Sequence, residues 1–274
     1  METDLPPSRE RGAVPETDRE KTVKTVSEWY PVSYLEPNSA SALPYALLIL
    51  NQPVDEKRFS RYWGGSSFTI CADGGANRLY ELCERSESHA LKNHIPEVIH
   101  GDLDSLLPKV EEYYRSSGSQ IIQDTDQEST DFMKCLKLIN ARAGLSRKLD
   151  VVALGNLGGR VDQGLSQLHH LYMAGEDTLL GIGRIIFFTP ESIAFLLQRG
   201  HNRIYTPLYK GFITENVGII PIGRPAVIST RGLEWDVHEW KTEFGGRIST
   251  SNHIKSDVIE VDTTERVLFT VELA

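Results

Sequence analysis

The chain has 274 residues, of which 40% are hydrophobic and 24% are charged, and its formal net charge is -9. This composition is typical of soluble globular proteins, and the length predicts one large domain or two smaller ones. A negative chain is a poor partner for nucleic acid or for an anionic membrane surface. The longest apolar runs are also far shorter than the roughly 20 residues that a membrane helix needs. We therefore expect neither nucleic acid nor a membrane as a partner.

The three cysteines, Cys71, Cys83 and Cys135, form no C-x-x-C pair and lie within apolar patterns. An odd number of cysteines in such surroundings indicates buried thiols in a reducing compartment rather than disulfides. The sequence therefore predicts a cytoplasmic protein.

Residues 1–40 form a polar, proline-rich stretch in which acidic residues are mixed with basic ones. A transit peptide would be poor in acidic residues, and a secretory signal would contain an apolar segment. We expect a disordered tail that contributes nothing to catalysis.

Short apolar runs alternate with helical patterns between residues 41 and 195. The strand-like runs are 45–51, 68–73, 97–101, 120–123 and 149–155, and the helical patterns are 76–83, 108–116, 130–143 and 160–173. Such alternation produces parallel strands joined by right-handed crossovers, with helices on both faces of the sheet. The pattern predicts an N-terminal, Rossmann-like α/β domain.

The alternation of strand and helix patterns ends after residue 183. Residues 184–189 are expected to form the last strand of the first domain, and 191–198 a short helical link. Short strand-like runs separated by turn residues follow at 201–205, 217–221, 226–230, 258–261 and 267–271. This spacing predicts a smaller all-β sandwich over residues 196–274, with a boundary near residue 195.

Four polar segments each follow a strand of the predicted parallel sheet. They are Asp73-Gly74-Gly75, Asp102-Leu103-Asp104-Ser105, the acidic stretch 124–131 and Gly158-Gly159-Arg160-Val161-Asp162. Because ligands bind at the carboxyl ends of parallel strands, we expect these segments to meet in one cleft.

Asp102 and Asp104 are one residue apart and can point toward one hard cation such as Mg²⁺. The same pattern is also typical of an ordinary turn and helix N-cap. The stretch 124–131 has four carboxylates, which repel one another unless cations neutralise them. Asp131, at its end, has either a metal-binding role or a favourable interaction with a helix dipole.

Gly158, Gly159 and Arg160 open a helix, so free N–H groups and a guanidinium can address one phosphate. Asp162 either orients Arg160 or joins the metal site, and the alternative is a glycine-tightened turn with a surface Arg–Asp pair. The chain has no P-loop motif, and the spacing does not match the dinucleotide-binding pattern. The segments 230–236 and 249–252 are typical of polar hairpin turns.

Six ordered motifs resemble those of the eukaryotic, fungal-like thiamine pyrophosphokinases. The resemblance covers about residues 45–274. The motifs are Cys71-Ala72-Asp73-Gly74-Gly75-Ala76-Asn77-Arg78-Leu79-Tyr80, Gly101-Asp102-Leu103-Asp104-Ser105, Asp126-Gln127 with Ser129-Thr130-Asp131, Gly159-Arg160-Val161-Asp162-Gln163, Thr230-Arg231-Gly232-Leu233-Glu234-Trp235-Asp236 and Ser249-Thr250-Ser251-Asn252.

The resemblance implies an α/β catalytic domain, a β-sandwich that helps to bind thiamine, and a homodimer with active sites at the subunit interface. It implies Mg²⁺-dependent transfer of a diphosphoryl group from ATP to the thiamine hydroxyl, with release of AMP. Three positions depart from the family pattern. Bacterial members commonly have His where Gln163 stands, Lys is frequent at the position of Glu234, and an acidic residue is common at that of His253.

We expect Asp102, Asp104 and Asp131 to hold magnesium, and Arg160 to stabilise charge on the transferred group. Catalytic roles are also expected for Asp73 and Asp162. The resemblance further implies a set of substrate-binding residues, in which Trp235 stacks on thiamine bound mainly by the other subunit. This set is Gly74, Asn77, Ser105, Gln127, Thr130, Gly159, Gln163, Trp235, Ser249, Ser251 and Asn252.

Two other functions are compatible with the same cleft. One is a different Mg²⁺-dependent kinase or nucleotidyltransferase that acts on another alcohol. The other is a nucleotide sensor that binds without turnover. All the proposed metal carboxylates are present together, which favours an enzyme, because a lapsed enzyme should have lost at least one.

Overall fold

The computed structural model describes residues 26–36, 44–87, 91, 94–143, 148–176 and 182–274. The rest of the predicted N-terminal tail, residues 1–25 and 37–40, lies outside the described residues. Within the described ranges, no helix combines the length and the apolar character needed to cross a membrane.

The described strands and helices alternate in the first part of the chain and give way to strands in the second. The strands are β1 (Val26–Trp29), β2 (Tyr45–Ile49), β3 (Phe68–Ala72), β4 (Val98–Gly101), β5 (Gln120–Gln123), β6 (Asp150–Leu154), β7 (Ile185–Phe188), β8 (Ser192–Leu197), β9 (Gly200–Tyr205), β10 (Ile213–Ile220), β11 (Ala226–Arg231), β12 (Trp240–Thr242), β13 (Ser249–His253), β14 (Val258–Thr263) and β15 (Val267–Leu273). The helices are α1 (Glu56–Gly65), α2 (Gly75–Arg85), α3 (Pro108–Ser116), α4 (Asp131–Ala143) and α5 (Val161–Glu176), with short 3-10 helices at Pro31–Leu35 and Leu208–Lys210.

The centre of the molecule is a ten-stranded sheet in the order β13-β10-β15-β8-β7-β6-β2-β3-β4-β5. The six strands from β7 to β5 are parallel to one another. Their residues are mostly buried on both faces, and every residue of β2, β3 and β6 is buried. Continuous apolar strands of this kind are typical of parallel sheets that are covered by helices on both sides.

Helices cover both faces of the parallel part of this sheet. Apolar side chains of α1, α2 and α3 pack on one face, and those of α4 and α5 pack on the other. The chain runs outward from β2 to β5 and then returns to place β6 on the other side of β2. A crevice forms where the strand order reverses, at the carboxyl ends of β2 and β6. The mixed α/β fold agrees with the prediction.

A five-stranded sheet in the order β1-β9-β14-β11-β12 packs on the antiparallel part of the ten-stranded sheet. One buried core joins the two layers, because it contains Phe195 and Phe269 from the large sheet together with Ile228 and Ile259 from the small one. The two phenylalanine rings lie 5.4 Å apart between centroids. The C-terminal part of the chain therefore forms two packed β-layers, and one of them continues the parallel sheet.

The predicted helical link at 191–198 is wrong, because β8 occupies this segment. Each residue from Ile193 to Leu197 is buried, and the strand pairs with β7 on one side and β15 on the other. A short apolar run fits a buried strand and a buried helix equally well in sequence, so only its neighbours decide between them. The predicted boundary near residue 195 lies inside this strand. The division into domains stays a prediction.

The predicted disordered tail is also wrong for residues 26–36. Strand β1 pairs in parallel with β9, and Trp29 at its end is 3% exposed. The Trp29 indole donates a hydrogen bond of 3.0 Å to Asn202 Oδ1 and stacks on Phe195 with ring centroids 4.9 Å apart. In the following 3-10 helix, the Tyr34 hydroxyl donates to Asp150 Oδ2 at 2.8 Å. The prediction rested on the average composition of 40 residues, in which a few apolar residues that pack in the core have little weight.

The burial of Trp29 gives a stability prediction. Replacing Trp29 by Ala removes a buried ring and leaves the side chain of Asn202 without this donor, so we expect a loss of about 3–5 kcal/mol of unfolding free energy in urea titrations. Val26→Ala in the same strand is the control, because Val26 is 41% exposed, and it should change stability by less than about 0.5 kcal/mol. Equal, small effects of both substitutions would show that β1 does not stabilise the fold.

Candidate functional site

A cleft of about 510 Å³ lies at the carboxyl ends of the parallel strands. The loops after β2 and β3, the loop after β4, the start of α4 and the start of α5 all contribute to its walls. It brings together nine of the predicted site residues. These are Asp73, Gly74, Asp102, Asp104, Ser105, Thr130, Asp131, Arg160 and Gln163.

Three carboxylates converge at the bottom of this cleft. Asp73, Asp102 and Asp131 each offer an oxygen, and these oxygens lie within 4.8 Å of one another. Each residue reaches this point from a different strand end, because Asp73 follows β3, Asp102 follows β4 and Asp131 begins α4 after β5. Oxygen-only ligands of this kind suit Mg²⁺ and Ca²⁺ rather than softer metals.

One oxygen of each carboxylate accepts a hydrogen bond from the protein, and within the described part of the chain the other oxygen accepts none. Asp73 Oδ2 accepts from the Ser105 N–H at 3.1 Å, and Asp102 Oδ1 accepts from the Asp104 N–H at 3.2 Å. Asp131 Oδ1 accepts from the Asp102 N–H at 3.2 Å and from the Lys134 ammonium at 3.3 Å. The other Asp73 oxygen, Oδ1, is buried and has no hydrogen-bond partner among the residues that the structure describes. An unpaired buried carboxylate oxygen is costly, which indicates that this site is built for a cation.

The pKa of Asp73 reflects both its burial and its repulsion by the neighbouring carboxylates. The pKa of Asp73 is raised to about 6, mainly by burial and also by the nearby charges of Asp131, Asp102 and Asp104, against the opposing hydrogen bond from Ser105. A cation bound among the three carboxylates would favour the ionised form and so lower this pKa. Protons and a cation would therefore compete for these carboxylates.

Asp104 lines the cleft but lies outside the group of three. Its Oδ1 accepts a hydrogen bond from the Ser105 hydroxyl at 3.0 Å, and its backbone N–H donates one to Asp102 Oδ1 at 3.2 Å. The geometry thus places Asp73, rather than Asp104, beside Asp102 and Asp131. A direct metal contact of Asp104 stays a prediction.

Close approach of the chain at Gly101 makes the convergence possible. A Cβ atom at Gly101 would lie 2.9 Å from Asp131 Oδ1 and 2.9 Å from Asp73 Cβ. Two nearby residues, Asp73 after β3 and Leu103 after β4, both have left-handed backbones, with φ of 42° and 66°. Such strain is uncommon outside glycine and clusters at functional sites.

Lys134 is a site residue that sequence patterns did not identify. It is 2% exposed in the middle of an apolar stretch of α4, and its ammonium donates to Asp124 O at 2.9 Å as well as to Asp131. A lysine at such a position is normally expected to reach solvent. Here its charge offsets part of the negative charge of the cleft and fixes Asp131.

A second, partly buried contact holds the start of α4. The Thr130 hydroxyl donates to His170 Nε2 at 2.8 Å and accepts from the Met133 N–H at 3.3 Å. His170 Nδ1 lies against the Ser166 carbonyl, which can only accept, so Nδ1 carries the proton. Burial lowers the pKa of His170, in keeping with this neutral form. Thr130 is thereby the helix cap that fixes the neighbouring Asp131.

Arg160 and Asp162 form a two-point ion pair at the rim of the cleft. The Nε–Oδ1 distance is 3.1 Å and the Nη2–Oδ2 distance is 2.5 Å. This pairing raises the pKa of Arg160 and lowers that of Asp162. Both side chains are exposed, so the pair contributes little to stability. Asp162 orients the guanidinium, which keeps three N–H donors for other partners.

Three further predicted residues lie outside the walls of the cleft. Asn77 is buried below it, where its amide donates to Ser105 O at 2.7 Å and accepts from the Leu107 N–H at 3.1 Å, so it clamps the loop after β4. Gln127 is exposed in the loop before α4, and Gly159 is exposed with φ of 71°. Their substrate contacts stay predictions.

The cleft also contains polar residues that the sequence patterns missed. They are Asn51, Gln52, Ser166, Gln167 and His170. Asn51 and Gln52 follow the first parallel strand, so the rule that ligands bind at strand ends could have identified them. The other three lie on α5, about one to three turns after its start, where sequence alone gives no such signal.

A second, smaller cavity of about 260 Å³ lies on the all-β part of the chain. Trp235, Ser249 and Asn252 line it together with apolar residues, whereas Ser251 is not among the lining residues. The segment 249–252 is part of strand β13 rather than a hairpin turn. The segment is rich in hydroxyl side chains because β13 is an edge strand with an exposed face. This composition is more typical of a turn than of a strand, so the sequence did not predict the strand.

The fold and the cleft define a class of protein. A parallel sheet presents converging carboxylates, an oriented arginine and a helix start at one edge, without a P-loop. This is the arrangement of an α/β enzyme that binds a divalent cation together with a phosphate-bearing substrate. The all-β part adds a second cavity, which two indole rings, those of Trp235 and Trp240, help to line.

Comparison with known proteins identifies the family. The family model of the thiamin pyrophosphokinase catalytic domain matches residues 59–180, and that of the thiamin pyrophosphokinase vitamin B1 binding domain matches residues 201–268. Thiamine pyrophosphokinase of Saccharomyces cerevisiae is 33% identical, and the alignment covers 83% of this chain and 85% of the yeast protein. Thiamine pyrophosphokinase 3 of Oryza sativa subsp. japonica is 35% identical, with coverage of 84% and 87%. The chain belongs to the thiamine pyrophosphokinase family.

Solved structures agree with this assignment. The thiamin pyrophosphokinase from Candida albicans superposes with a TM-score of 0.80 at 28% identity and covers 91% of this chain and 93% of its own. The yeast thiamin pyrophosphokinase gives a TM-score of 0.79 at 29% identity, with coverage of 92% and 93%. The resemblance to eukaryotic, fungal-like members is confirmed.

The tight contact at Gly101 gives a prediction about the cluster. Gly101→Ala forces Asp73 or Asp131 to move, so we expect about 10-fold to 100-fold weaker binding of Mn²⁺, measured by electron paramagnetic resonance, with a folded protein. Gly118→Ala is the control: Gly118 also has a positive φ, of 100°, but a Cβ there meets nothing within 4 Å. Similar metal affinity of the two variants would show that the approach at Gly101 does not shape the site.

Proposed function

We propose that this chain carries out the reaction of its family in the cleft around Asp73, Asp102 and Asp131. In this reaction the diphosphoryl group of ATP passes to the hydroxyl of thiamine, and the products are thiamine diphosphate and AMP. Family membership supports the reaction type and the two substrates. The convergence of three carboxylates, whose oxygens lie within 4.8 Å of one another, is the observation that carries the choice of site.

The donor set fits magnesium. The carboxylate oxygens of Asp73, Asp102 and Asp131 are hard ligands, and no described residue donates to the buried Asp73 Oδ1. When bound, the ion supplies positive charge to the phosphate oxygens of ATP. The protein's own part is to hold the three carboxylates in place through Ser105, Asp104, Asp102 and Lys134.

Arg160 is the residue proposed to stabilise charge on the transferred group. Its guanidinium lines the cleft with two of its donors committed to Asp162 and the others available to phosphate oxygens. Catalysis of phosphoryl-type transfer depends mainly on such positioning and electrostatics. Asp104 lines the cleft outside the metal group, so we propose it as the acceptor of the thiamine hydroxyl proton. The more tightly bonded Asp131 is less suited to this role.

The active site is proposed to be shared between the two chains of a homodimer. The cleft and the aromatic cavity have no lining residue in common. Exposed apolar side chains flank both of them, with Val161 and Leu165 at the start of α5 and Trp235, Phe244 and Ile248 around the cavity. Apolar surface of this kind marks interaction sites. A dimer that places the cavity of one chain over the cleft of the other would cover both patches and surround the substrate.

The cytoplasm is the proposed compartment. Cys71, Cys83 and Cys135 are all free and buried, and burial raises the pKa of each thiol. Buried, protonated thiols without disulfide partners suit a reducing environment.

The proposed reaction makes a direct prediction. Incubation with ATP, Mg²⁺ and thiamine should yield AMP and thiamine diphosphate in equal amounts. Chromatography of the reaction mixture measures both products. Asp102→Asn is the matched control, and it should lower kcat/KM by about 100-fold while remaining folded, because the substitution removes one ligand and some repulsion. Formation of ADP with thiamine monophosphate would instead support an ordinary kinase. No turnover, together with nucleotide binding, would support a sensor.

The shared site makes a separate prediction. Trp235→Ala should raise the KM for thiamine much more than that for ATP, because an indole face is lost for a flat, cationic substrate. At low thiamine, Trp235→Ala and Asp102→Asn homodimers should both be nearly inactive. Mixing equal amounts under subunit exchange should restore about a quarter of wild-type activity, since half of the dimers would be mixed and each would hold one intact site.

Recovery in this experiment depends on exchange, which mass spectrometry of the mixed dimers can follow directly. If exchange is complete and no activity returns, Trp235 serves the cleft of its own chain or no cleft at all.

A further inference from the structure

Trp235 is exposed, yet its backbone is tightly fixed. The indole is 55% exposed on the loop between β11 and β12. The buried Asn252 side chain accepts from the Trp235 N–H at 3.1 Å and donates to the Trp235 carbonyl at 3.0 Å. These two bonds clamp the residue to strand β13 but leave the rotation of the indole itself unrestrained.

The ring of His253 restrains the indole. The two ring centroids lie 5.1 Å apart with an angle of 44° between the planes. Trp235 lines the aromatic cavity and His253 does not, so the imidazole contacts the indole from outside the cavity. The face of the indole toward the cavity is thereby left available to a ligand.

Glu234 holds the imidazole in place. Its Oε2 lies 2.7 Å from His253 Nδ1, which donates because a carboxylate can only accept. Lys255 Nζ lies 3.1 Å from the same oxygen and 3.6 Å from Glu215 Oε2. The hydrogen bond from His253 is the largest cause of the lowered pKa of Glu234, and Lys255 is the next. The histidine is therefore one member of a charged network on the outer face of the cavity.

We propose that His253 is a positioning residue for Trp235, held in its place by Glu234, and that this pair sets the affinity for the flat cationic substrate. The inference rests on the proposed role of Trp235 in binding thiamine. An indole that is ordered before binding loses less rotational freedom when the substrate stacks on it. A contact between aromatic rings supplies that order without occupying the binding face.

Steady-state kinetics of His253→Ala and His253→Phe test this role. His253→Ala should raise the KM for thiamine about threefold to tenfold, with little change in kcat or in the KM for ATP. His253→Phe keeps a ring against the indole and should restore most of the thiamine affinity. Glu234→Gln, which keeps the size but not the charge of the partner, should shift the KM for thiamine in the same direction by a smaller factor.

His201→Ala is the matched control. His201 also pairs with an acidic side chain, Asp262, through Nδ1 at 3.2 Å, and its side chain is 22% exposed against 27% for His253. No ring contact of His201 occurs among the described residues. This variant should therefore leave the KM for thiamine unchanged.

The outcome separates this inference from the proposed function. If Trp235→Ala raises the KM for thiamine and His253→Ala does not, the positioning role is overturned while the stacking role stands. Equal damage by His253→Ala and His253→Phe would also overturn it, because the ring would then be irrelevant. If Trp235→Ala itself leaves the KM for thiamine unchanged, the proposed role of Trp235 fails first.

Discussion

The structure depends on one electrostatic constraint, the convergence of three carboxylates in a half-buried cleft. Asp73, Asp102 and Asp131 lie close enough to repel one another, and burial adds to the cost of the charge on Asp73. The protein sustains this arrangement by giving one oxygen of each carboxylate a donor from the chain. The buried ammonium of Lys134 offsets part of the charge. A divalent cation would neutralise the negative charge that these donors leave uncompensated.

The strand order explains how such distant residues meet. The chain runs outward from β2 to β5 and returns to β6, so the loops after five neighbouring strands open into the same crevice. Gly101 lets the loop after β4 pass close to the start of α4, and Asn77 clamps that loop from below. The catalytic geometry is thus a property of the rigid sheet rather than of any single loop.

The continuity of the ten-stranded sheet links the cleft to the all-β part of the chain. Strand β8 pairs with parallel β7 on one side and antiparallel β15 on the other, so the two parts share one hydrogen-bonded framework. The N-terminal strand β1 adds to the small sheet, and Trp29 closes its core against Phe195 and Asn202. Such a framework fixes the orientation of the aromatic cavity relative to the cleft within a chain, which a composite site in a dimer requires.

Sequence alone determined the features that depend on local chemistry. Buried parallel strands appear as short apolar runs because both of their faces are covered, and α3 was predicted at the residues where it occurs, with Pro108 at its first position. The positions of Asp73, Asp102, Asp131 and Arg160 after strands also predicted their meeting in one cleft. Ordered motifs then gave the family.

Only the tertiary structure decided the features that depend on contacts between distant segments. It placed Asp73 rather than Asp104 in the group of three, because that choice depends on how the loop after β4 folds against β3. It made β8 a strand and ordered β1, since short apolar runs take their form from their neighbours. It buried Lys134 because Asp131 and Asp124 supply its partners. Each of these outcomes is set by packing and by charges that only the folded chain brings together.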